Sequence, residues 1–217
     1  MKVIKNHDIT RISINPQSMQ QKTLDVIGRK HTVEEIKEAY ALARKTGFDN
    51  INMDIIAGLP GEDISDMEDT LAQIAQMHPD SLTVHSLAIK RAARMEMEDL
   101  NRDAKETHEI LSGMIERAAK AAKEMDLFPY YLYRQKNIAG NFENVGYAKV
   151  DKAGIYNILI MEEKQPIIAL GAGGSSKLVF DHGQRIERVE NVKDVSNYIS
   201  RIDEMIERKR TAIATWL

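Results

Sequence analysis

Polar and apolar residues alternate along three short segments in the first half of the chain. Residues 10–15, 50–56 and 81–87 carry apolar side chains at nearly every second position, which predicts β-strands with two unlike faces. Alternation places the polar residues of each strand on a single face. These residues are Arg11, Ser13 and Asn15 in the first segment, Asn52 and Asp54 in the second, and Thr83 and His85 in the third.

The segments between these strands carry helix signals. A short helix is expected over residues 18–27, and Thr32 with Glu35 forms a capping box that opens a helix over residues 33–45. Ser65 with Glu68 repeats this signature before a helix that ends near Met77. Each connection between strands is long enough to hold a helix, which predicts parallel strands in β/α units.

The second half of the chain has a different character. Residues 98–126 predict one long helix, or two helices broken near Gly113, and residues 128–133 are expected to be extended. Residues 135–147 are expected to be irregular. Strands are predicted over 155–161, 167–170, 178–180 and 185–190, with a hairpin turn at 181–184 and a final helix capped by Asp194. We therefore expect a partial α/β barrel over residues 1–96, and a helical segment with a small mixed α+β module over residues 97–217.

The polar face of the three strands allows two interpretations. Antiparallel strands with one face in solvent would show this alternation, but the two capped crossover helices leave little room for hairpins. Parallel strands of a barrel are normally apolar on both faces, so here the polar face would line a wet interior. A charge such as Asp54 costs several kcal/mol to bury unless it is paired. The second interpretation therefore predicts a ligand site on this face.

The composition argues against several classes of partner and site. The formal net charge is -3 and both signs are interspersed, which gives no electrostatic reason to expect nucleic acid or a membrane surface. No apolar run approaches the ~20 residues that span a bilayer, and there is no signal-peptide core, so a cytoplasmic location is expected. The chain has no cysteine and its histidines lack paired spacing, so we expect no metal site within it.

Four runs of residues carry a resemblance to a known family. They are RISINPQSMQQKTLDVIGRKHT, GFDNINMDIIAGLPGE, YYLYRQKNIAGNFENVGYA and LGAGGSS. Together they resemble the oxygen-independent coproporphyrinogen III oxidase family of radical S-adenosylmethionine (SAM) enzymes, and its HemZ branch in particular. The resemblance covers almost the whole chain. It implies an incomplete β/α barrel that holds SAM and a [4Fe-4S] cluster, followed by helices and a small C-terminal module.

The resemblance also implies a reaction and a missing part. In this family the reduced cluster cleaves SAM to a 5′-deoxyadenosyl radical, which abstracts hydrogen from a propionate of coproporphyrinogen III. Two rounds, each with loss of CO2 and an electron, give protoporphyrinogen IX, so an electron donor for the cluster is an implied partner. The family holds its cluster with three cysteines spaced CxxxCxxC. This chain has none and resembles the family from about the fourth barrel strand, so we expect the C-terminal part of a longer enzyme, inactive alone.

The resemblance assigns SAM contacts to particular positions. Gln17, Arg29 and Asp54 match family residues that contact SAM, and Ala88 matches a position that approaches the adenine. A guanidinium suits the methionyl carboxylate, while a carboxylate or amide suits ribose hydroxyls. The alternatives are an exposed cation at a helix end for Arg29 and a surface amide for Gln17.

The second half contributes further candidates. Gly171 and Gly173 of LGAGGSS match a family loop near SAM, although a glycine run without a following helix is a weak sign of an anion site. Aromatic and cationic residues could contact the rings and carboxylates of the porphyrinogen, or the aromatic strand could pack the small module onto the barrel. These residues are Tyr130, Tyr131, Tyr133 and Arg134.

Two other functions stay open at this point, together with one prediction about assembly. The chain could be a haem-binding or haem-delivery protein on the same scaffold, since relatives of the family bind haem. It could also be an interaction module that docks to a partner carrying the cluster. In a complete barrel the strand Thr10 to Asn15 would pair with a preceding strand, so its bare edge predicts self-association or coverage by the N-terminal residues.

Overall fold

The computed structural model describes residues 1–87, 104–133 and 142–216. Contacts divide these residues into two compact units, Met1–Gly154 and Ile155–Leu217. The boundary predicted between residues 96 and 97 lies outside the described residues. The described residues beyond it, up to Gly154, pack within the first unit because they contribute a helix and two strands to it.

The first unit alternates helices and strands over most of its length. Its elements in chain order are α1 (Lys2–Lys5), β1 (Ile12–Ser13), α2 (Gln21–Val26), α3 (Val33–Lys45), β2 (Ile51–Ala57), α4 (Ile64–Met77), β3 (Ser81–Ser86), α5 (Ala104–Glu124), β4 (Phe128–Tyr133) and β5 (Asn144–Ala148). Of the two alternatives predicted for residues 98–126, one long helix or two, the described part supports one helix, because α5 runs unbroken through Gly113. Helix α1 was not predicted.

The two helix starts that we predicted from capping boxes differ in outcome. Helix α3 begins at the expected box, in which Thr32 accepts from the Glu35 N–H and the Glu35 carboxylate accepts from the Thr32 N–H. The second box lies two residues earlier than predicted and is formed by Asp63 and Asp66. The Asp63 carboxylate accepts two backbone N–H groups, so it outcompetes the Ser65 hydroxyl as the cap.

Five strands form one mixed sheet in the order β1-β2-β3-β5-β4. The pairs β1–β2 and β2–β3 are parallel, which confirms the predicted β/α units and contradicts the antiparallel alternative. Strand β5 is antiparallel to both β3 and β4. Residues 135–147 were expected to be irregular, and this is wrong for the last four of them. Asn144 to Tyr147 belong to β5, and Val145 to Tyr147 pair with both β3 and β4.

The apolar face of the sheet forms the core with the helices. Met53, Ile55 and Leu82 are fully buried, and they belong to one hydrophobic cluster with residues of α3, α4 and α5 such as Leu71 and Met114. Each such side chain stabilises the fold by about 1.5–3 kcal/mol. Burial of this face leaves the polar face of the same strands as the place where a ligand can be bound.

An ion network fixes the amino ends of β2 and β3. Asp80, which is buried, accepts from the Ile51 N–H at 2.9 Å and from Arg44 Nη1 at 2.6 Å. Lys149 Nζ lies 3.2 Å from its other carboxylate oxygen. Burial raises the pKa of Asp80, but Arg44 and the other donors outweigh it and hold that pKa below its usual range. These charges lie at the opposite end of the strands from the loops that follow them.

The second unit is a hairpin with helices. It contains α6 (Ile155–Met161), β6 (Ser175–Phe180), a short 3₁₀ turn (Asp181–Gly183), β7 (Arg185–Glu190), α7 (Val195–Ser200) and α8 (Ile202–Trp216). The predicted hairpin is confirmed, and the final helix begins at Asp194 as predicted but is divided into α7 and α8. No helix in the described ranges has the length and apolarity of a membrane span.

Two predicted strands of this unit are wrong. Residues 155–161 form helix α6, because a short apolar run does not distinguish a strand from a helix. Residues 167–170 contain one isolated bridge, from Ile167 to Lys177, and no strand is formed there. The bridge places a single residue beside β6, which is too little for a third strand of the hairpin.

Candidate functional site

Polar side chains of neighbouring strands meet on one face of the sheet, as the alternation predicts. Asn52 Nδ2 donates to Asp54 Oδ1 at 2.5 Å and to Ser13 Oγ at 3.4 Å. Thr83 Oγ1 donates to Asn52 Oδ1 at 3.1 Å. Asn52 thus connects β1, β2 and β3, and it orients the carboxylate of Asp54.

The Asp54 carboxylate is the acidic group among the polar-face residues named above. Its side chain is 21% exposed, and its Oδ2 lies 3.8 Å from Nε2 of His85 on β3. Burial raises the pKa of Asp54, but the contacts of His85 and Asn52 outweigh it and hold that pKa below its usual range. Asp54 is therefore ionised at neutral pH, with the Asn52 amide on its Oδ1 and the His85 imidazole facing its Oδ2.

Gln17 is fixed to the same strand by its backbone. Its N–H donates to the Asp54 carbonyl at 3.0 Å, and its own carbonyl accepts from the Ile56 N–H at 2.9 Å. Gln17 has a φ of 69°, a left-handed conformation that costs a non-glycine residue about 1–2 kcal/mol. Strain of this kind persists only where the surroundings enforce it, and it is common at functional sites. The backbone of Gln17 is thus held beside Asp54, and the contacts of both residues with SAM stay predictions.

A buried carboxyl group supports the loop that carries Gln17. Ser18 Oγ donates to Glu62 Oε1 at 2.5 Å, and the two side chains are 1% and 2% exposed. Burial raises the pKa of Glu62, and the Ser18 contact opposes this only in part. Glu62 therefore joins the loop after β2 to the loop after β1. Sequence reasoning missed this pair, because an acidic residue after a Pro-Gly turn is normally exposed.

Arg29 is not brought into this cluster. It follows Gly28, whose φ of 68° ends the turn after α2, and its N–H donates to the Leu24 carbonyl at 2.9 Å. Its side chain is exposed, without a hydrogen bond or ion pair to the described part of the polar face. The contact with SAM implied for Arg29 stays a prediction. Ala88 lies outside the described residues, so its contact stays a prediction as well.

Tyr131 of β4 lies on the polar face beside Thr83. Burial raises the pKa of its hydroxyl, and the interaction with Thr83 opposes this. Its ring lies directly against Gly146, where a Cβ atom would come within 2.0 Å of Tyr131 Cε1. Tyr133, two residues further along β4, is 39% exposed. Arg134 lies outside the described residues, and a role in substrate binding stays a prediction for all three.

The glycine loop of the second unit uses its donors internally. The N–H of Gly171 donates to the Tyr198 hydroxyl at 3.1 Å, and that of Gly173 donates to the Val192 carbonyl at 2.8 Å. The N–H of Gly174 donates to the Gly171 carbonyl at 3.2 Å. Since these three N–H groups are engaged, the loop is not a preformed anion cradle. Contacts of Gly171 and Gly173 with SAM stay predictions.

The described residues contain no group of three side chains that could hold a metal ion. The chain has no cysteine, so thiolate ligands of an iron–sulfur cluster do not come from it. What the polar face offers is a partly buried carboxylate, an amide and an imidazole. This set of groups suits the hydroxyls of a nucleoside, which is the part of SAM that it could hold.

Comparisons with known proteins agree with this geometry. Residues 1–74 match the model of the Radical SAM superfamily. The chain is 46% identical over 207 residues to the oxygen-independent coproporphyrinogen-III oxidase-like protein HemZ of Bacillus subtilis (strain 168), covering 95% of this chain and 41% of the relative. It is 28% identical over 90 residues to the heme chaperone HemW of the same organism, covering 42% of this chain and 24% of that protein.

A solved structure has the same fold. Coproporphyrinogen III oxidase (HemN) from Escherichia coli, described as a radical SAM enzyme, matches with a TM-score of 0.66 at 18% identity. The match covers 93% of this chain and 45% of that one. The chain thus spans less than half the length of HemZ from Bacillus subtilis and of the HemN chain from Escherichia coli.

Proposed function

Because the chain belongs to the oxygen-independent coproporphyrinogen III oxidase family of radical SAM proteins and is similar to HemZ over 95% of its length, we propose that it forms the SAM-binding wall of such an enzyme. The enzyme would decarboxylate coproporphyrinogen III oxidatively to protoporphyrinogen IX. The observation that carries this proposal is the ionised Asp54 on the polar face of three parallel strands. A packed core would not retain such a charge without a cationic partner.

The chain's own residues bind and orient in this proposal. Asp54 accepts hydrogen bonds from ribose hydroxyls, Gln17 contributes its amide, and Asn52 fixes the carboxylate. Arg29 pairs with the methionyl carboxylate, and further contacts to SAM come from Ala88, Gly171 and Gly173. Tyr131, Tyr133 and Arg134 hold the porphyrinogen. When bound at a reduced [4Fe-4S] cluster, SAM supplies the radical chemistry that removes hydrogen from an unactivated side chain.

The cluster has to be held by other residues, since this chain offers no thiolate. We therefore propose that residues 1–217 are inactive alone and depend on a cluster-bearing polypeptide and an electron donor. Strand β1, at the edge of the described sheet, is the natural place for a further strand to pair, so self-association there stays part of the proposal. Sedimentation velocity at rising concentration would detect it. The cytoplasmic location also stays a prediction.

A haem-binding function is the second candidate. It is favoured by the similarity to heme chaperones named HemW, one of which, from Escherichia coli (strain K12), is 33% identical over 82 residues. A haem chaperone would bind haem without consuming coproporphyrinogen. The two candidates therefore differ in product and in ligand spectrum.

The experiment that separates them combines this chain with the part of HemZ that it does not match, reconstituted anaerobically with iron, sulfide and a reductant. Formation of protoporphyrinogen that requires both polypeptides and SAM is the expected result. The matched control is the mixture with Asp54→Ala in this chain. A mixture that forms no product but gives a saturable haem spectrum would contradict the oxidase proposal and favour the chaperone.

A further inference from the structure

Three neighbouring strands bring polar groups to almost the same level near their carboxyl ends. On one side of β2, Gln17 bridges to Ile55. On the other side, His85 of β3 lies opposite Ile56 in the parallel register. Asp54 is one residue before this level on β2 itself. An imidazole therefore flanks the carboxylate on the side away from Gln17, where the family resemblance assigns a contact to Ala88 but none to His85.

His85 and Asp54 face each other without a direct hydrogen bond. Nε2 of His85 and Oδ2 of Asp54 are 3.8 Å apart, which exceeds the range of a hydrogen bond, about 2.7–3.2 Å. An oxygen atom to the side of the line that joins them could lie about 2.8 Å from both and bond to each. The pair is thus spaced for a bridging hydroxyl.

The remaining hydrogen bonds of the carboxylate point to the same conclusion. Oδ1 of Asp54 is already occupied by the Asn52 amide at 2.5 Å. Oδ2 is the oxygen that faces His85, and both side chains retain exposure, 21% for Asp54 and 35% for His85. A ligand can therefore reach the gap between them. Thr83, which lies opposite Asp54 in the register, donates to Asn52 Oδ1.

We propose that His85 is a ligand-binding residue that selects for a ribose hydroxyl. In the bound state the hydroxyl donates to Asp54 Oδ2 and accepts from His85 Nε2–H. The inference rests on the proposed function in that the ligand is a nucleoside such as the adenosine part of SAM. The inference adds His85 to the residues that contact the ligand. It also adds a selectivity for ribose hydroxyls, because a site built to bond a hydroxyl rejects an analogue that lacks it.

The test compares adenosine with 2′,3′-dideoxyadenosine as ligands of the full 217-residue chain, with affinities taken from chemical-shift titrations by NMR. Two variants form a matched pair of amides. The side chain of His85→Gln is long enough to place an N–H near the position of Nε2, whereas that of His85→Asn is one methylene shorter and does not reach it. Asp54→Ala serves as a control for the hydroxyl preference of the whole site.

The wild type should bind adenosine more tightly than the dideoxy analogue. His85→Asn should reduce this preference about three- to tenfold, the worth of one hydrogen bond, while His85→Gln keeps most of it. Affinity for the dideoxy analogue should be the same in both variants, which shows that the site is intact. Retained preference in His85→Asn, with loss in Asp54→Ala, would overturn the role of His85 and leave the proposed function standing. Failure of the wild type to bind adenosine and SAM would overturn both.

Discussion

Asp54 shows how a single residue in an alternating strand identifies a site. The sequence places a carboxylate between fully apolar neighbours, and the structure gives it an amide donor on Oδ1 and an imidazole 3.8 Å from Oδ2. Because a nearby imidazole and amide lower its pKa, the charged form is the stable one at neutral pH. The residue is therefore prepared to accept a hydroxyl and needs no buried cation.

Glu62 provides a prediction with a definite sign at the same scale. Burial raises the pKa of Glu62 above the unfolded value of about 4.3, so its stabilising contribution is present below that value and is lost as pH rises through the folded-state pKa. Glu62→Gln keeps an acceptor for Ser18 but does not ionise. The difference in Tm between Glu62→Gln and the wild type should therefore increase from pH 4 to pH 8. The increase should be roughly 2–4 °C for each 1 kcal/mol of unfolding free energy that the wild type loses over this range.

Glu204→Gln is the control for this measurement. Hydrogen bonds from Arg201 and Arg208 lower the pKa of Glu204 to about 2, so its contribution is present above the unfolded value and is lost as pH falls. Its Tm relative to wild type should change with pH in the opposite direction. If the Tm of Glu62→Gln relative to wild type instead decreases as pH rises, the folded protein stabilises Glu62 as a carboxylate, which contradicts the prediction.

The residues that sequence reasoning found and missed differ in one physical respect. Asn52, Asp54, Thr83 and His85 were found together because strand alternation determines the face on which a side chain lies. The contact between Ser18 and Glu62 was missed because it joins two loops, whose paths no local period determines. The left-handed conformation of Gln17 was missed because glutamine carries no signal for it.

At the scale of elements, the contact between Tyr131 and Gly146 links β4 to β5. A methyl group on Gly146 would come within 2.0 Å of the rigid Tyr131 ring, so Gly146→Ala should cost about 1–3 kcal/mol in the free energy of unfolding. In a chain that already carries Tyr131→Ala, Gly146→Ala should cost much less free energy of unfolding, because the ring that its methyl group meets is absent. Urea denaturation of the two single variants and the double variant measures this coupling.

Gly113→Ala is the matched control for that cycle. Its methyl group would come within 2.7 Å of the flexible tip of Ile64, and it lies inside α5, where alanine is favoured by about 1 kcal/mol. It should therefore cost less than Gly146→Ala. If Gly146→Ala unfolds at the same urea concentration as wild type, β4 and β5 do not pack as described.

The elements that the sequence predicted well were those with two independent signals. Helix α3 and strand β2 combine a regular period with a cap or a sharp end, and the predicted bounds differ from the structure by at most one residue. Strand β5 has neither, since Asn144 and Gly146 break its apolar pattern and its register comes from β3 and β4. Helix α6 has apolar residues without a period, and tertiary context decided its state.

At the scale of the whole molecule, the account explains why a chain without cysteine has a radical SAM fold. It matches less than half the length of its relatives HemZ and HemN. In our proposal its polar face forms one wall of a nucleoside site. Each described unit has its own strands, and the polar face with Asp54 belongs entirely to the first. The claim that this face binds SAM can therefore be tested on the chain itself.

Equilibrium dialysis of radiolabelled SAM against the wild-type chain and the variants Asp54→Ala and Glu204→Ala tests that claim most directly. The account predicts saturable binding to wild type and to Glu204→Ala, and a loss of about tenfold or more in Asp54→Ala, since a charged hydrogen-bond acceptor contributes about 1.5–3 kcal/mol. Equal SAM affinity in the wild type and Asp54→Ala, or no binding to the wild type, would contradict it.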